Sequence, residues 1–116
     1  MDLREKFDIA MDRVIQGRLA LLDANEAEIE AREDLKSSEM VLLAGDSING
    51  KNAEVRAAQL RTMTAMEREA LAKAEKEKRL AVYRLEIALD ARRNLESILK
   101  IEELESNSPM GGIIKA

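Results

Sequence analysis

The stretch closest to a chemical site is Gly45-Asp46-Ser47-Ile48-Asn49-Gly50-Lys51-Asn52, one position away from the phosphate-cradling pattern G-x-x-x-x-G-K-[ST]. In that pattern backbone amides close round phosphates, the lysine reaches the terminal phosphates, and the next hydroxyl binds magnesium. Here Asn52 stands where the hydroxyl belongs, and a helical pattern, not a strand, precedes the loop. The stretch therefore reads as a turn between two helices, with Asn52 capping the second. A reduced form of the idea survives: Lys51 and the free amides opening that helix could hold an anion.

A second constellation is Glu28 with Glu67, which fall in one layer of the helix pairing derived below. Facing carboxylates can raise one another's pKa or share a metal. The chain has no histidine, so the Glu-x-x-His pairs of di-metal bundles are absent, and both glutamates read as reaching solvent at a loose layer. No metal or other cofactor is implied. With neither histidine nor cysteine, a Ser–His or Cys–His pair cannot be assembled, and the chain reads as a non-enzyme. Arg18 and Asn25 interrupt an apolar row of the first helix, either as functional contacts or as polar groups that fix register between helices. The basic run from Lys73 to Arg84 is interleaved with Glu75 and Glu77 and lacks stacking aromatics. Together with a net charge of −4, that argues against nucleic-acid binding, which needs a basic footprint. Met11, Met40, Met63 and Met66 suit an adaptable partner surface or ordinary core filling.

The elements that carry these residues follow from composition. The 116 residues are 46% apolar and 36% charged, with Phe7 and Tyr83 the only aromatics and Pro109 the only proline. That balance belongs to long helices or coiled coils. No run approaches the roughly 18 apolar residues of a membrane span, the N-terminus does not read as a secretory signal, and the expected location is cytoplasmic. From 2 to 44 the only glycine is Gly17, and from 53 to 105 there is neither glycine nor proline. The expectation is a hairpin over 1–106, with a helix over 2–44, a loop over 45–52 and a helix over 53–105, followed by a tail over 107–116. At 1.5 Å per residue the helices would run about 60 and 80 Å.

In the first helix Phe7, Val14, Leu21, Leu35 and Leu42 recur every seven residues, broken by Glu28, and Ala10, Gly17, Ala24, Ala31 and Ser38 follow at three-residue offsets. The second helix offers Ala53, Ala57, Leu60, Thr64, Leu71, Ala74, Ala81, Leu85 and Ala88. Pairing residue numbers that add to 95 sets Phe7 on Ala88, Val14 on Ala81, Leu21 on Ala74 and Leu42 on Ala53, large against small. Charge agrees: residues 23–39 carry a balance of −5 and residues 61–84 one of +3.

A lone hairpin leaves apolar rows over. Met11, Ile15, Leu22 and Ile29 form one on the first helix, answered on the second by Met63, Met66, Ala70, Leu80, Ile87, Ala91 and Ile98. The pairing also ends near residue 94, so Leu95, Ile98, Leu99, Ile101 and Leu104 overhang. Each fully buried side chain is worth about 1.5–3 kcal/mol, so the expected fold class is an all-α, coiled-coil-like antiparallel hairpin dimerising into a four-helix bundle. The Gly111-Gly112-Ile113-Ile114 end reads as a docking plug.

The segment Ile48-Asn49-Gly50-Lys51-Asn52-Ala53-Glu54-Val55-Arg56-Ala57-Ala58-Gln59-Leu60 resembles a stretch in small, uncharacterised bacteriophage and prophage proteins with two long helices joined by a G-K-N-A-x-x-R turn. The resemblance covers about a tenth of the chain. It implies a bacterial or phage cytoplasmic setting and directs attention to Gly50, Lys51, Asn52, Ala53 and Arg56. Gly50 would permit the turn, Asn52 cap, Ala53 let the helices close, and Arg56 reach Asp46 or the last carbonyls of the first helix. The expected function is an oligomeric protein-interaction module, a phage-type accessory protein acting on a host or phage protein, defence components included. The alternative is a self-assembling structural bundle or scaffold.

Overall fold

The computed structural model describes residues 1–107, so the expected docking plug lies outside the described residues. The fold is an all-α antiparallel helical hairpin. Its first arm is α1 (Leu3–Ala44) and its second arm comprises α2 (Ala53–Met63) and α3 (Ala65–Asn107). Asp2 starts α1 by accepting the Glu5 N–H on its carboxylate at 2.8 Å. Asn52 starts α2 the same way, accepting the Val55 N–H at 2.9 Å. Such caps satisfy amides that have no partner inside the helix.

The second arm, expected as one helix over 53–105, is interrupted at Thr64, where φ is −111° and ψ 20°. The hydrogen-bond ladder continues round the bend: the Thr64 N–H donates to Leu60 C=O at 3.0 Å, and Thr64 C=O accepts from Arg68 N–H at 2.9 Å. The Thr64 hydroxyl donates to the same Leu60 carbonyl at 2.7 Å and accepts from Arg68 Nε at 2.9 Å. A hydroxyl that competes for the carbonyl one turn back bends a helix. Thr64 is fully buried, so packing holds the bend.

The chain divides into two compact units. One joins Met1–Ala20 to Val82–Ala116, of which residues up to 107 are described, and the other is Leu21–Ala81. In the terminal unit the shielded positions of α1 include Leu3, Phe7, Ala10, Val14 and Gly17, and those of α3 include Leu85, Ala88, Arg92, Leu95 and Leu99. Val14 is 1% exposed. Gly17 lies against Leu85 so closely that a Cβ on it would stand 3.2 Å from the leucine Cδ1. In the loop unit Leu21, Ala24, Glu28, Ala31, Leu35, Ser38 and Leu42 are shielded on α1, opposite Leu60, Thr64, Glu67, Leu71, Ala74, Lys78 and Ala81.

The contact of Gly17 with Leu85 fixes the register. Residue numbers adding to 102 pair every one of these seam positions in both units, from Leu3 with Leu99 to Leu42 with Leu60. The expected pairing, adding to 95, is therefore one heptad out. Ala53 and Ala57, expected against Leu42 and Ser38, are exposed. Leu95 and Leu99, expected to overhang, are half-buried, while Ile98, Ile101 and Leu104 stay exposed.

A shift of seven preserves the alternation of large and small, which is why the seam still closes. Ala10 falls in a layer with Arg92, Ala24 with Lys78, and Glu28 with Ala74. Small residues thus leave room for longer polar side chains: the Glu28 carboxylate is held by Arg32 and Lys78, and Arg92 buries its Nε 3.4 Å from the Glu96 carboxylate. The core is thin, and its buried apolar members are Ala10, Val14, Ala74 and Ala81.

Candidate functional site

The turn is built on one side chain that the resemblance does not single out. Gln59, two turns into α2, accepts the Asn49 and Gly50 N–H groups on its Oε1 at 3.1 and 2.8 Å, and donates from Nε2 to Asn49 Oδ1 at 3.1 Å. Arg56 donates to Gly50 C=O at 3.1 Å, not to Asp46 or the end of the first helix. The loop consequently folds back along the start of α2. Gly50 has no positive φ. What it supplies is space, since a Cβ there would stand 2.5 Å from Val55 Cγ1.

Asn52 caps as expected, whereas Ala53, expected to let the helices close, is exposed. Lys51 is exposed too. Of the amides that open α2, that of Val55 is taken by the Asn52 side chain, and the loop amides of Asn49 and Gly50 are taken by Gln59. Only a polar side chain facing a polar loop hints at Gln59 in the sequence, and that signal is weak.

Glu28 and Glu67 are not a pair. The Glu28 carboxylate lies 2.9 Å from Arg32 and 3.3 Å from Lys78, and Arg32 also reaches Glu75 at 3.4 Å. Hydrogen bonding to Arg32, then to Lys78, holds the Glu28 carboxyl below its ordinary value against an opposing desolvation effect. Glu67 instead accepts from the Ser38 hydroxyl at 3.4 Å. Among the described residues no group of three or more His, Cys, Asp or Glu is placed to hold a metal. Lys78, part of the basic run, is engaged by Glu28. Arg18 is exposed and Asn25 half-buried.

The expected interface residues are mostly on the surface: Ile15, Leu22, Ile29, Met66, Leu80, Ile87, Ile98, Ile101 and Leu104 are exposed, and Met11 and Leu95 are half-buried. They do not form one face. In the terminal unit Lys6, Ile9 and Arg13 share a groove of about 300 Å³ with Ala88, Ala91 and Leu95. Successive helical residues turn by about 100°, so Met11 and Ile15 leave α1 on the opposite flank.

In the loop unit Ser37 and Val41 share a groove of about 340 Å³ with Met63 and Glu67. The ion pairs of Arg32 with Glu75 and of Glu39 with Arg68, at 3.4 and 3.6 Å, mark the other flank, and Leu22 and Ile29 fall on that side. Within each unit the residues of the α1 row and those of the α3 row, expected to answer each other, thus lie on opposite flanks.

No protein-family model, curated protein or solved structure matches this chain. The surface chemistry therefore carries the functional argument. Among the described residues no helix is long and apolar enough to cross a membrane, and the exposed apolar side chains alternate with charged ones along both flanks.

Proposed function

We propose that this protein is a non-enzymatic, oligomeric protein-interaction module that works by covering its apolar flanks with other polypeptide. The carrying observation is that in each unit the apolar rows leave opposite flanks, Ile15 against Ile87 in the terminal unit and Leu22 and Ile29 against Met66 and Leu80 in the loop unit, each 40–82% exposed. Runs of exposed apolar side chains rimmed by charge mark interaction surfaces. Two separate flanks also allow two different occupants, which a one-faced bundle does not. A bacteriophage or prophage setting, with a host or phage protein as one occupant and the bacterial cytoplasm as the place of action, rests on the resemblance of the turn.

The test replaces Ile15, Leu22 and Ile29 together by glutamate, and separately Met66, Leu80 and Ile87, with helicity checked by circular dichroism. Site-directed photocrosslinking from Leu22 and from Leu80 in the producing cell then reads the occupants. Discrete, saturable adducts that disappear with the matching glutamate variant are expected. Absence of adducts from both flanks refutes the proposal. Adducts consisting only of this chain, growing with concentration into open-ended assemblies, favour the scaffold reading instead.

A further inference from the structure

We infer that the terminal unit docks on the terminal unit of a second copy, α3 against α3 and antiparallel, about a two-fold axis at Asn94. The inference rests on the interaction-module reading and names the occupant of one surface, the grooved flank of that unit.

Ala91 lines the groove of the terminal unit together with Ala88 and Leu95. From Ala91 the same flank of α3 runs on at spacings of three and four residues, back to Ile87 and Arg84 and forward to Asn94, Ile98, Ile101 and Glu105. All of these are exposed in the single chain. Two such stripes laid antiparallel meet at numbers that add alternately to 188 and 189. Arg84 of each copy then faces Glu105 of the other, Ile87 faces Ile101, Ala91 faces Ile98, and Asn94 faces its own counterpart. Apolar meets apolar, the outer charges are opposite, and the one uncharged polar residue falls on the axis. A lone asparagine pair in a helical seam fixes register at a cost in stability. The stripe is self-complementary, as a two-fold interface requires, whereas a surface for an unrelated partner has no need to read the same in both directions.

The neighbouring positions obey the same operation. On the side of α3 away from α1, Tyr83 meets Leu104 and Asp90 meets Ser97. Tyr83 and Leu104 are 60% and 62% exposed in the single chain. The seam with α1 lies about a quarter turn round α3 from the docking stripe. The two-fold stands perpendicular to the plane of the paired α3 helices, so both α1 helices fall on one side of that plane, as in a four-helix bundle. The contact of Gly17 with Leu85 sets Asn94 level with Asp8. About that level Arg13 of one copy meets Asp2 of the other, and Lys6 meets Ile9. Lys6, Ile9 and Arg13 are the α1 wall of the groove. Arg84, Glu105, Arg13 and Asp2 make no ion pair with any other described residue.

The experiment uses the full chain in two variants, one carrying Arg84→Glu and Ile87→Glu, the other Ile101→Lys and Glu105→Lys. All four positions are exposed, so the hairpin seam is untouched. Sedimentation equilibrium should show a dimer for the parent chain and dimerisation weakened at least about tenfold in each variant alone, where like charges meet and a charge faces isoleucine. An equimolar mixture should recover a dimer holding one of each, since glutamates then face lysines and the other pairs are those of the parent. Asn94→Cys, in a chain with no other cysteine, should oxidise to a linked dimer. Tyr83→Cys should not, because the two copies of residue 83 stand about 30 Å apart along the helices. A monomeric parent overturns the inference, as do variants that dimerise as well as the parent, a mixture that stays monomeric, or linkage through residue 83 in place of residue 94. The interaction-module reading is decided separately, by the adducts from Leu22 and Leu80, which belong to the loop unit.

Discussion

The register of the hairpin can be read directly by a cross-link, because the chain has no cysteine to interfere. An ideal Cβ on Gly17 stands 3.7 Å from the Leu85 Cβ, and disulfides form at Cβ separations of about 3.5–4.5 Å. Gly17→Cys with Leu85→Cys should therefore oxidise readily within one chain. The control is Gly17→Cys with Lys78→Cys, the pair that the alternative register would bring together. Seven residues along a helix are about 10.5 Å, too far for a disulfide without moving the backbone.

Oxidation of the first pair closes a loop from residue 17 to residue 85, for which chain entropy gives an upper stabilisation of about 4 kcal/mol. The comparison is between oxidised and reduced forms of the same variant, so the cost of losing the Leu85 side chain cancels. Non-reducing electrophoresis with mass spectrometry reads the bond, and urea midpoints read its effect. Efficient cross-linking of 17 with 78, and none of 17 with 85, would refute the register.

Three further outcomes are expected. Val14→Ala removes two methyl groups from a side chain that is 1% exposed, so it should destabilise by about 2 kcal/mol, measured by urea unfolding. Gln59→Ala removes the acceptor for the Asn49 and Gly50 amides; those amides should lose hydrogen-exchange protection, and stability should fall by about 1 kcal/mol. Glu28 titrates below its ordinary 4.5 because of Arg32 and Lys78, so its contribution is present above the unfolded value and lost as pH falls through the depressed folded value. Urea midpoints taken across the acid range should therefore decline on acidification, and Glu28→Gln should flatten that decline; an unchanged slope would remove Glu28 as a cause.

The seam of α1 was legible almost residue by residue. Phe7, Val14, Leu21, Leu35 and Leu42, with the small residues between them, are the positions the structure shields. The register was not legible, for a physical reason: a pattern that repeats every seven residues matches its partner equally well after a slip of seven. Only the turn distinguishes the two fits, and the turn is set by Gln59 drawing Asn49 and Gly50 back over α2. No periodicity records such a bridge.

The bend at Thr64 was hidden similarly, since threonine is an ordinary helix residue until its hydroxyl finds the carbonyl four residues back. The exposed rows were identified as apolar, but their division between two flanks depends on which side of each seam a residue leaves. Met11 and Met63 carry no sign of that until the helices are paired.

The register also orders events in time. The layer of Leu42 with Leu60 joins residues 18 apart in the chain, and that of Leu3 with Leu99 joins residues 96 apart. Closing the longer span first would cost about 1.5 kcal/mol more in chain entropy, so pairing starts beside the turn and proceeds away from it like a zip. During synthesis from the N-terminus, all of α1 is made before any of its seam partners exists. At about 5–20 residues per second, Leu3 waits roughly 5–20 s for Leu99 to be made. Within the hairpin the residues made earliest are the last to be covered, and for those seconds the apolar edge of α1 is open to whatever stands near the ribosome.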